Sequence, residues 1–502
     1  MSDDNSKLTR PGLVLEFTVF VCGALVMVYE IIGSRIVAPF IGTSTYVWTS
    51  LIGVILGALS LGYWLGGRSA DQRPSVRILA GALFTAGGLV SVTVFAKDIV
   101  LAGIAAMPVG LEVRSLLASI LLFAPASVAL GFVIPYASKL RISSLEHSGK
   151  TVGRLYALST LGSIAGTFAA GFLLIPFVGS VRTLYFIAAS LFALAILLAG
   201  FSLGRPQVGA MLLLVIGASA AEFEGYLLQR TYNLTDIDTE YSRVRIFDTT
   251  DPRTSRPMRA MMIDPDYVQS ARFLDGEELA LEYTKFYHLA AYFQPEMRNT
   301  LMIGGAGFSF PKDFIARYPE ARIDVVEIDP QMSELSMQHF GLVPNERLRI
   351  FHEDGRVFLN NAPRAKYDAV LMDAFGSLFS IPFQLTTLEA VREIRKTLKD
   401  DGVVIVNIGS AVSGNGARFL EAEYATYRSV FEFVEIVKVR PETPNEKVQN
   451  VMLVAYRKPS SALSQPLPEM LTNGLLDFRP SGIEQILTDD LSPVEYFASM
   501  FY

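Results

Sequence analysis

The sequence has little of what a disulfide-linked or metal-bound fold requires. A single cysteine, Cys22, excludes an intrachain disulfide, because each such bond needs two thiols. The chain has four histidines, and they are scattered along it without the short spacings of a metal site. We therefore expect no structural metal and no metal cofactor.

Charge is also scarce, and it is unevenly distributed. Charged residues make up 18% of the 502 residues, against 51% hydrophobic residues, and the mean hydropathy is +0.37. This composition is typical of a membrane region joined to a globular one. Residues 1–221 hold 14 basic and 8 acidic side chains, which leaves 29 basic and 41 acidic ones for residues 222–502. The acidic second half is not expected to bind nucleic acid, since phosphate neutralisation requires a basic surface.

Long apolar runs dominate residues 1–221, where we predict a transmembrane helical domain. Six of these runs are long enough for the roughly 20 residues that cross a bilayer. They are residues 13–38, 47–67, 76–96, 115–138, 155–178 and 183–204. Two further runs, residues 99–111 and 206–221, are marginal in length, so we expect between six and eight spans. The first run is too long for a cleavable signal peptide and is followed by further spans.

Basic residues are biased to one side of these spans. Ten of them lie on the side of the N-terminus and three on the other side. The positive-inside rule then places the N-terminus in the cytoplasm. If residues 206–221 cross the membrane fully, the second half of the chain is exported, away from any nucleotide-like ligand. If they do not cross, the second half is cytosolic, and this is the placement we favour.

Two features inside the spans stand out. Small residues that allow helices to approach closely recur at Gly53, Gly57, Gly62, Gly66, Gly162 and Gly166. Glu30 and Arg35 are ionisable groups in the first span, where such groups are costly and usually face a partner or a cavity. They form either a structural pair or part of a site for a polar substrate or lipid.

Residues 238–502 follow a different pattern, after a predicted linker at residues 222–237. Two stretches, TEYSRVRIFD and RAMMIDPDYVQSARF, have strand-like alternation. Strands then alternate with helices through NTLMIGG, RIDVVEID, LRIFHED, YDAVLMDAF, a helix at residues 386–399 and GVVIVNI. The sequence predicts a parallel, doubly wound α/β sheet with a small β region before it. The late runs VFEFVEIVKV and QNVMLVAY are predicted to close the sheet as an antiparallel pair.

A glycine-rich loop follows the first strand of this alternation, in the sequence LMIGGAGFSF. A strand that ends in glycines and leads into a helix, here predicted to begin at Pro311, lets backbone amides approach a ligand. Glu327 lies 20 residues beyond Gly307, at the end of the second strand, where a carboxylate can accept hydrogen bonds from both ribose hydroxyls. The pattern therefore predicts a nucleoside ligand.

Two further positions narrow down the nucleoside. A dinucleotide site would have a third glycine near position 310, but Phe310 is there. We therefore predict an adenosine without a pyrophosphate, which indicates an S-adenosyl sulfonium. Asp354, in the sequence HEDG after the third strand, is placed to accept a hydrogen bond from the adenine amino group. An Asp-Gly pair also forms turns without any ligand, so a purely structural role remains the alternative.

Several motifs of the second half resemble those of the spermidine synthase (polyamine aminopropyltransferase) family in order and spacing. They are TEYSRVRI, MMIDPDYVQ, FYHLA, IGGAGF, VEID, EDG and YDAVLMDAF, and they cover about residues 238–410. The resemblance implies a Rossmann-like domain of the class I S-adenosyl-binding type. The first half, with YEIIGSRIVAPF, resembles the multi-span half of bacterial proteins in which a transporter-like membrane domain is fused to such a domain.

The resemblance also implies roles for the residues that match the family motifs. The implied ligand contacts are the loop glycines Gly304, Gly305 and Gly307, ribose at Glu327, adenine at Asp354, and the sulfonium side at Gln269 and His288. Asp373 is the implied catalytic carboxylate. Tyr241 and Tyr287 match family tyrosines near the same pocket, and packing in the core is an equally good explanation for each of them.

Three anionic groups of the family are absent. Gly307 replaces an aspartate that holds the amine of decarboxylated S-adenosylmethionine, Gly376 replaces a second carboxylate after Asp373, and Leu289 replaces a glutamate. A diamine carries two charges that a pocket must neutralise on desolvation, so binding of putrescine would be costly. The missing side chain at Gly307 is expected to leave room for a carboxylate, so S-adenosylmethionine should bind at least as well as its decarboxylated form.

The expected chemistry is an attack on a carbon next to the positive sulfur, with the protein supplying alignment. Attack on the three-carbon chain releases 5′-methylthioadenosine, either with an unusual acceptor or within the ligand, as in a lyase or cyclotransferase. Attack on the methyl group would make the protein a methyltransferase. A non-catalytic sensor or transporter of an adenosyl ligand is the alternative that is not an enzyme.

We expect a multi-pass protein of the bacterial inner membrane with its catalytic domain in the cytosol. Its expected partners are the lipid bilayer and a small adenosyl molecule, S-adenosylmethionine or its decarboxylated form, which is consumed as a substrate. The sequence leaves open the acceptor, the role of the membrane domain and whether the chain forms a homo-oligomer.

Overall fold

The computed structural model describes residues 10–142, 148–199, 205–263, 267–374, 381–458, 468–480 and 485–500. The chain divides into two compact units. One unit comprises Met1–Thr231 and Ile237–Arg243, and the other comprises Tyr232–Asp236 and Val244–Tyr502. The first is helical, and the second combines strands and helices.

Ten α-helices, with a π-helical turn at Ala170–Leu174, span the described residues up to Tyr232. They are α1 (Arg10–Ile41), α2 (Thr45–Gln72), α3 (Val76–Ala105), α4 (Leu111–Leu122), α5 (Ala124–Gly131), α6 (Val133–Arg141), α7 (Ser148–Ala169), α8 (Ile175–Val178), α9 (Ser180–Ala199) and α10 (Arg205–Tyr232). The six apolar runs fall on these helices, except that residues 200–204 lie outside the described residues.

Five helical segments are long and apolar enough to cross a membrane, judged by length and composition over the described residues. A sixth candidate is the pair Leu111–Leu122 and Ala124–Arg141, which is bent by 50°. The sequence predicted one run there, at residues 115–138, without a break. Pro125 stands in the first turn of the second helix. Because proline lacks an N–H group and its ring clashes with the preceding turn, a break at this point is expected.

Glycines of the small-residue repeats bring helices of this unit into close contact. A Cβ atom on Gly162 would lie 1.9 Å from the carbonyl oxygen of Phe20, and one on Gly62 would lie 2.2 Å from that of Val128. Neither position tolerates a side chain, so the predicted close approach is confirmed there. It also holds at Gly66 and Gly166, but Gly53 and Gly57 have no such neighbour within 4 Å.

Helix α10 is longer than the sequence predicted. Residues 222–232, which were expected to form most of a linker, continue the helix begun at Arg205, for a total of 28 residues. The helix ends at Tyr232, and Asn233 follows with a φ of 53°. Asparagine is one of the few residues that adopt this left-handed conformation readily, and it often ends helices. The shorter run at residues 99–111 does not form a helix of its own. Its first part belongs to α3, which continues through Ala105, and its last residue begins α4.

A small sheet opens the α/β unit. It has the order β1-β2-β3-β4, with β1 (Thr235–Asp238), β2 (Arg243–Thr250), β3 (Pro257–Ile263) and β4 (Tyr267–Phe273). Strands β3 and β4 are antiparallel neighbours, so the stretch RAMMIDPDYVQSARF contributes two strands to this sheet.

The large sheet has eight strands in the order β12-β10-β11-β9-β8-β5-β6-β7. The strands are β5 (Asn299–Ile303), β6 (Arg322–Val326), β7 (Leu348–Phe351), β8 (Tyr367–Met372), β9 (Leu398–Ser410), β10 (Phe433–Lys438), β11 (Gln449–Tyr456) and β12 (Leu475–Leu476). Strands β5 to β9 pair in parallel, whereas β11 is antiparallel to both β9 and β10. The predicted antiparallel pair that closes the sheet is therefore confirmed.

Helices cover this sheet and bury its strands. They are α11 (Glu282–Lys285), α12 (Leu289–Phe293), α13 (Ser309–Arg317), α14 (Pro330–His339), α15 (Gly355–Asn361), α16 (Leu388–Thr397), α17 (Arg418–Arg428), α18 (Glu469–Gly474) and α19 (Val494–Ser499). Every residue of β8 is buried, as expected for a central parallel strand. Helix α13 begins at Ser309, two residues earlier than predicted, because Pro311 is tolerated in a first turn.

The strand order reverses direction at β5. Chain order runs from β5 through β6 to β7 on one side, while β8 and β9 pair on the other. Open α/β sheets bind ligands at such a switch point, in the crevice beyond the carboxyl ends of the strands. The unit thus has the Rossmann-like, class I S-adenosyl-binding fold that the resemblance implied, and its crevice lies beyond β5 and β8.

Candidate active site

Asp373 directly follows β8 at this switch point. Its backbone N–H donates to the carbonyl of Ile303, the last residue of β5, at 2.8 Å. Gly304, the next residue, has a φ of +93°, and a Cβ atom there would lie 2.3 Å from the carbonyl oxygen of Asp373. Only glycine meets both constraints. The first loop glycine and the predicted catalytic carboxylate are therefore packed together.

The carboxylate of Asp373 is held by neutral donors. The Asn407 amide donates to Oδ1 at 3.1 Å, and the Tyr283 hydroxyl donates to Oδ2 at 3.2 Å. Burial raises the pKa of Asp373 to about 6, although hydrogen bonds from Asn407, Tyr287 and Tyr283 oppose the shift. Each oxygen can accept a further hydrogen bond. The group is thus mostly ionised at neutral pH and able to take up a proton.

Tyr287 lies beside Asp373, but the structure gives it a packing role. Its hydroxyl donates to the carbonyl of Met372 at 3.1 Å, and the residue is fully buried. Its ring meets that of Phe310 edge-on at a centroid distance of 5.2 Å. This arrangement fixes the end of β8. Contact between Tyr287 and a ligand stays a prediction.

Sequence reasoning missed the two side chains that donate hydrogen bonds to the Asp373 carboxylate, Tyr283 and Asn407. Tyr283 precedes Tyr287 by four residues, which places both rings on one face of the helical turns that contain them. Asn407 is a polar residue near the end of the apolar strand GVVIVNI. A polar side chain in a buried strand needs a hydrogen-bond partner, and this signal could have pointed to Asn407.

Glu327 holds the glycine loop. Its Oε2 accepts hydrogen bonds from the backbone N–H groups of Gly305 at 2.9 Å and Ala306 at 3.1 Å. Its Oε1 accepts from the N–H of Asp329 at 3.1 Å. Burial raises the pKa of Glu327, while these three backbone donors lower it in part. The carboxylate therefore has capacity for one more donor on Oε1, rather than for two free ribose hydroxyls.

The space beside Gly307 is not free. A Cβ atom on Gly307 would lie 2.4 Å from the Ser270 hydroxyl and 3.2 Å from the ring of Phe340. The expectation that the missing side chain leaves room for a carboxylate is wrong, because Ser270 of strand β4 fills the position. The loop is neutral here, as predicted, but it is also closely packed.

Asp354 caps helix α15. Its Oδ1 accepts from the backbone N–H groups of Arg356 at 2.8 Å and Val357 at 3.1 Å, while Oδ2 meets the Gln384 amide at 3.4 Å. The structural alternative that the sequence left open is therefore present. Recognition of adenine would use Oδ2, whose hydrogen bond to Gln384 is long. The contact between Asp354 and adenine stays a prediction.

His288 has a polar atom close to each of its ring nitrogens. Nδ1 lies 3.0 Å from the Tyr318 hydroxyl, and Nε2 lies 2.8 Å from Asp313 Oδ2. The ring also borders a cavity of about 490 Å³ that is lined by Lys285 and Arg317, among others. Its predicted place beside the sulfonium would require one of these contacts to open, and the assignment stays a prediction.

The remaining assignments are placed as follows. The backbone carbonyl of Gln269 lies 3.2 Å from the Tyr283 hydroxyl and competes with Asp373 for its single proton, so Gln269 lies one contact away from Asp373. Tyr241 belongs to the segment Ile237–Arg243, which groups with the helical unit, and half of its side chain is exposed. Leu289 is buried in an apolar cluster. Gly376 lies outside the described residues, and within them no group of three or more metal-ligating side chains occurs.

The fold and the site define a class I S-adenosyl-binding α/β protein, and comparison with known proteins identifies the family. Residues 281–443 match the spermine/spermidine synthase domain. A polyamine aminopropyltransferase of Vibrio vulnificus is 30% identical over 242 residues, which cover 45% of this chain and 79% of that protein. The chain therefore belongs to the polyamine aminopropyltransferase (spermine/spermidine synthase) family, and it is a transferase of that type.

Two further similarities show how much of the chain is matched. Polyamine aminopropyltransferase 2 of Ralstonia nicotianae is 22% identical over 432 residues, covering 80% of each chain, so this match extends into the helical unit. A crystal structure of a probable spermidine synthase from Corynebacterium glutamicum is 23% identical, with a TM-score of 0.41. It covers 53% of this chain and 93% of that one.

Proposed function

We propose that the α/β unit binds an S-adenosyl sulfonium beyond the carboxyl ends of β5, β6 and β8 and directs attack on its three-carbon chain. The observation that carries this proposal is the carboxylate of Asp373. It is half-buried at the switch point of the sheet, its donors are neutral, and it is packed against the first glycine of the loop. A carboxylate with little exposure and no cationic partner favours a cationic ligand beside it.

In the proposed step, a nucleophile forms a bond to the carbon of the three-carbon chain that is attached to sulfur. The bond between that carbon and sulfur breaks, and its electron pair returns to sulfur. The leaving group is neutral 5′-methylthioadenosine, so no acid is needed to protonate it. With an amine as nucleophile, the proton that the nitrogen loses passes to Asp373, whose pKa of about 6 leaves it ionised at neutral pH.

The residues that would hold the ligand are those of the glycine loop and its support. Gly304 and Gly305 bring the backbone close to the crevice, and Glu327 keeps the loop in place while one acceptor position on Oε1 remains for a ribose hydroxyl. Asp354 would offer its Oδ2 to the adenine amino group. The ligand, S-adenosylmethionine or its decarboxylated form, is a substrate in this proposal.

A diamine acceptor is disfavoured by the neutral residues of the pocket. Ser270 fills the space at Gly307, where the family has a carboxylate, and Leu289 lies in the apolar core. These replacements favour a second candidate, in which the carboxylate or amine of S-adenosylmethionine itself is the nucleophile. That reaction also releases 5′-methylthioadenosine, but it needs no acceptor site.

We also propose that the protein is integrated in a bacterial inner membrane through its helical unit, with the α/β unit in the cytosol. The single native cysteine allows a direct test, because Cys22 is buried. A cysteine introduced at the exposed Lys447 in a Cys22→Ser background should react with a membrane-impermeant maleimide only after cells are permeabilised. Labelling in intact cells would contradict the cytosolic placement.

The activity is tested with the purified full chain in detergent or nanodiscs. S-adenosylmethionine and decarboxylated S-adenosylmethionine are each incubated with and without diamines, and the nucleoside product is identified. Methylthioadenosine that requires an amine supports transfer, and methylthioadenosine without an amine supports cleavage within the ligand. S-adenosylhomocysteine would indicate methyl transfer. Binding of the ligand without any product would overturn the enzymatic proposal in favour of a sensor.

A further inference from the structure

Two asparagine side chains form a hydrogen-bonded chain that ends on Asp373. The Asn450 amide donates through Nδ2 to Oδ1 of Asn407 at 3.0 Å. Asn407 in turn donates through Nδ2 to Oδ1 of Asp373 at 3.1 Å. Asn407 is buried on β9, with 8% of its surface exposed, whereas Asn450 is exposed near the start of β11. A surface residue is thus connected to the proposed base through one buried amide.

The antiparallel pairing of β9 and β11 explains why the two amides meet. Asn450 lies opposite Gly409, and Asn407 lies opposite Met452, so the two asparagines are diagonal neighbours across the pair. Diagonal side chains on one face of a sheet lie within reach of each other.

The ionised carboxylate determines which way both amides point. A carboxylate only accepts hydrogen bonds, so Asn407 must turn its NH₂ group towards Asp373 and its carbonyl oxygen towards Asn450. Asn450 must then present its own NH₂ group to that oxygen. Without a donor at Asn450, the carbonyl oxygen of Asn407 would lose its partner. The rotated amide of Asn407, whose oxygen faces the carboxylate and is repelled by it, would then be less strongly disfavoured. The outer residue therefore stabilises the productive orientation of the inner one.

We propose that Asn407 and Asn450 are positioning residues, which fix the Asp373 carboxylate in the orientation that accepts a proton from the nucleophile. The inference rests on the proposed function, because it assumes that Asp373 acts as the base. Neither asparagine needs to touch the substrate in this role. Among the described residues, the other titratable groups that face Asp373 are Tyr283, through its hydroxyl on Oδ2, and Tyr287.

The chain makes a specific prediction for substitutions at the exposed position. In Asn450→Ala, Asn407 loses its outer donor. We expect kcat/KM to fall about 3- to 10-fold, as for loss of one neutral hydrogen bond, and the acidic limb of the pH profile to move up by about half a pH unit. Asn450→Asp is closer in shape to the native residue but only accepts hydrogen bonds when ionised. It should lower activity further and move the limb further up, because it favours the wrong orientation of Asn407 and adds a negative charge.

Gln449→Ala is the matched control. Gln449 is the preceding residue of β11, and its amide donates to the backbone carbonyls of Pro444 and Lys447 in the adjacent loop. This substitution removes a side chain of similar size and disturbs the loop without touching the asparagine chain. The pH profile of Gln449→Ala should match that of the wild type.

The test is made on the full chain in nanodiscs with two readouts. One is the pH dependence of turnover. The other is the titration of Asp373 itself, followed by infrared spectroscopy as the carboxyl band that is absent from an Asp373→Asn variant. The second readout needs no turnover. If the wild type lacks activity with every sulfonium while Asn450→Ala still shifts this titration, the proposed function fails and the role of the asparagines in orienting Asp373 stands.

The opposite result overturns the inference. If Asn450→Ala and Asn450→Asp leave both the pH profile and the infrared titration unchanged, the chain does not position the base. The same holds if Asn450→Asp is as active as the wild type, because a purely structural contact tolerates the more similar shape. Asn407→Ala adds a direct comparison, since it should shift the titration at least as far as Asn450→Ala.

Discussion

Carboxylates of the large sheet that have little exposure have two kinds of hydrogen-bond partner, depending on where they lie along a strand. Asp324, within β6, pairs with Lys366 at 2.6 Å and Arg349 at 2.8 Å. Glu327 follows the same strand, and Asp373 follows β8, and in the described part of the chain their donors are backbone amides, hydroxyls and a side-chain amide. The strand interior carries closed ion pairs, whereas the carboxyl edge keeps negative charge without a cation.

This difference is visible in the pKa values. Burial raises the pKa of Asp373 to about 6 and raises that of Glu327. Burial also acts on Asp324, but hydrogen bonds from Arg349, Lys366 and Tyr367 outweigh it, and the pKa is lowered. A carboxylate that is already paired with cations attracts a cationic ligand only weakly. The contrast teaches that position along the strand separates carboxylates paired with cations from carboxylates whose donors are neutral.

Among the substitutions that test this contrast, the one at Asp373 should have the largest effect, and this effect is on catalysis. Asp373→Asn should keep the fold and most of the affinity for the adenosyl ligand, since the amide fits the same space. Formation of methylthioadenosine should fall by about 10²- to 10⁴-fold, the range for loss of a positioned base. For cleavage within the ligand the loss should be smaller, because the nucleophile needs mainly alignment. Product analysis of the two purified proteins measures the ratio.

The wild-type pH profile provides a check on the same residue. With a pKa of about 6, Asp373 is protonated below that pH and cannot accept a proton, so turnover should rise as the pH increases through about 6. Undiminished turnover of Asp373→Asn at neutral pH would show that the base lies elsewhere. Asp324→Asn, in the same sheet, is the control and should keep its turnover.

Substitution of Asp324, the carboxylate that is paired with cations, should lower the stability of the fold. Asp324→Asn removes one partner of an ion-pair cluster, and we expect the free energy of unfolding to fall by about 2 kcal/mol, less than for a fully buried pair because Arg349 is half exposed. Thermal unfolding of the full chain in detergent, followed by circular dichroism, measures the loss. Glu320→Gln, which breaks an exposed pair with Arg298, should cost less than about 0.5 kcal/mol.

The pH dependence of stability has opposite signs at the two carboxylates. The folded pKa of Asp324 lies below its ordinary value of 3.8, so its contribution is present above that value and is lost as the pH falls through the folded pKa. The folded pKa of Asp373 lies above 3.8, so its contribution is present below that value and is lost as the pH rises through about 6. Asp373→Asn should therefore be more stable than the wild type at pH 8.

A smaller effect is expected for ligand binding at Glu327. In Glu327→Gln, the NH₂ group replaces one carboxylate oxygen, so a loop amide or a ribose hydroxyl loses its acceptor. We expect affinity for S-adenosylmethionine to weaken by about 1.5 to 2 kcal/mol, as for one hydrogen bond to a charged group. Isothermal calorimetry measures the change, and Asp324→Asn should bind as the wild type does. Equal affinity of the two variants would mean that the loop is a turn and that the ligand binds elsewhere.

Local patterns were sufficient to predict the strands and the loop that place this site. Alternating hydrophobicity and the glycines after β5 indicated the crevice, and Asp373 follows directly from the strand YDAVLMD. The polar Asn407 in an apolar strand indicated that it needs a partner, but that this partner is Asp373 could not be predicted, because Tyr283 lies 90 residues and Asn407 34 residues away from Asp373 in the chain. Contacts of this kind depend on tertiary packing.

The error at Gly307 has the same origin. The space at Gly307 is filled by Ser270, which the small sheet brings to the loop from 37 positions earlier, and no pattern around Gly307 could reveal it. The linker was misjudged for a different reason. The residues EFEGYLLQRTY have few apolar residues compared with the spans, but most of them form helices readily, and a helix that has begun continues at little cost.

The smallest predicted effect sharpens the comparison, because both carboxylates, Asp324 and Asp373, accept a hydrogen bond from a tyrosine. Tyr283 donates its hydroxyl to Asp373 at 3.2 Å, and Tyr367 donates its hydroxyl to Asp324 at 2.9 Å. Tyr283→Phe and Tyr367→Phe each remove one neutral hydrogen bond to a carboxylate and leave the ring in place. If only the residue types mattered, the two variants would behave alike.

We expect them to differ in kind. Loss of the Tyr283 hydroxyl removes a contact that lowers the pKa of Asp373, so the acidic limb of the pH profile should move to higher pH and kcat/KM should fall about 3- to 10-fold. Tyr367→Phe leaves Asp324 with its two cations, so it should lower stability by about 1 kcal/mol without moving the pH profile. A shift of the pH profile in Tyr367→Phe, or no shift in Tyr283→Phe, would contradict the proposal that Asp373 acts in catalysis and Asp324 in stability. The two carboxylates would then not differ in the way their neighbours imply.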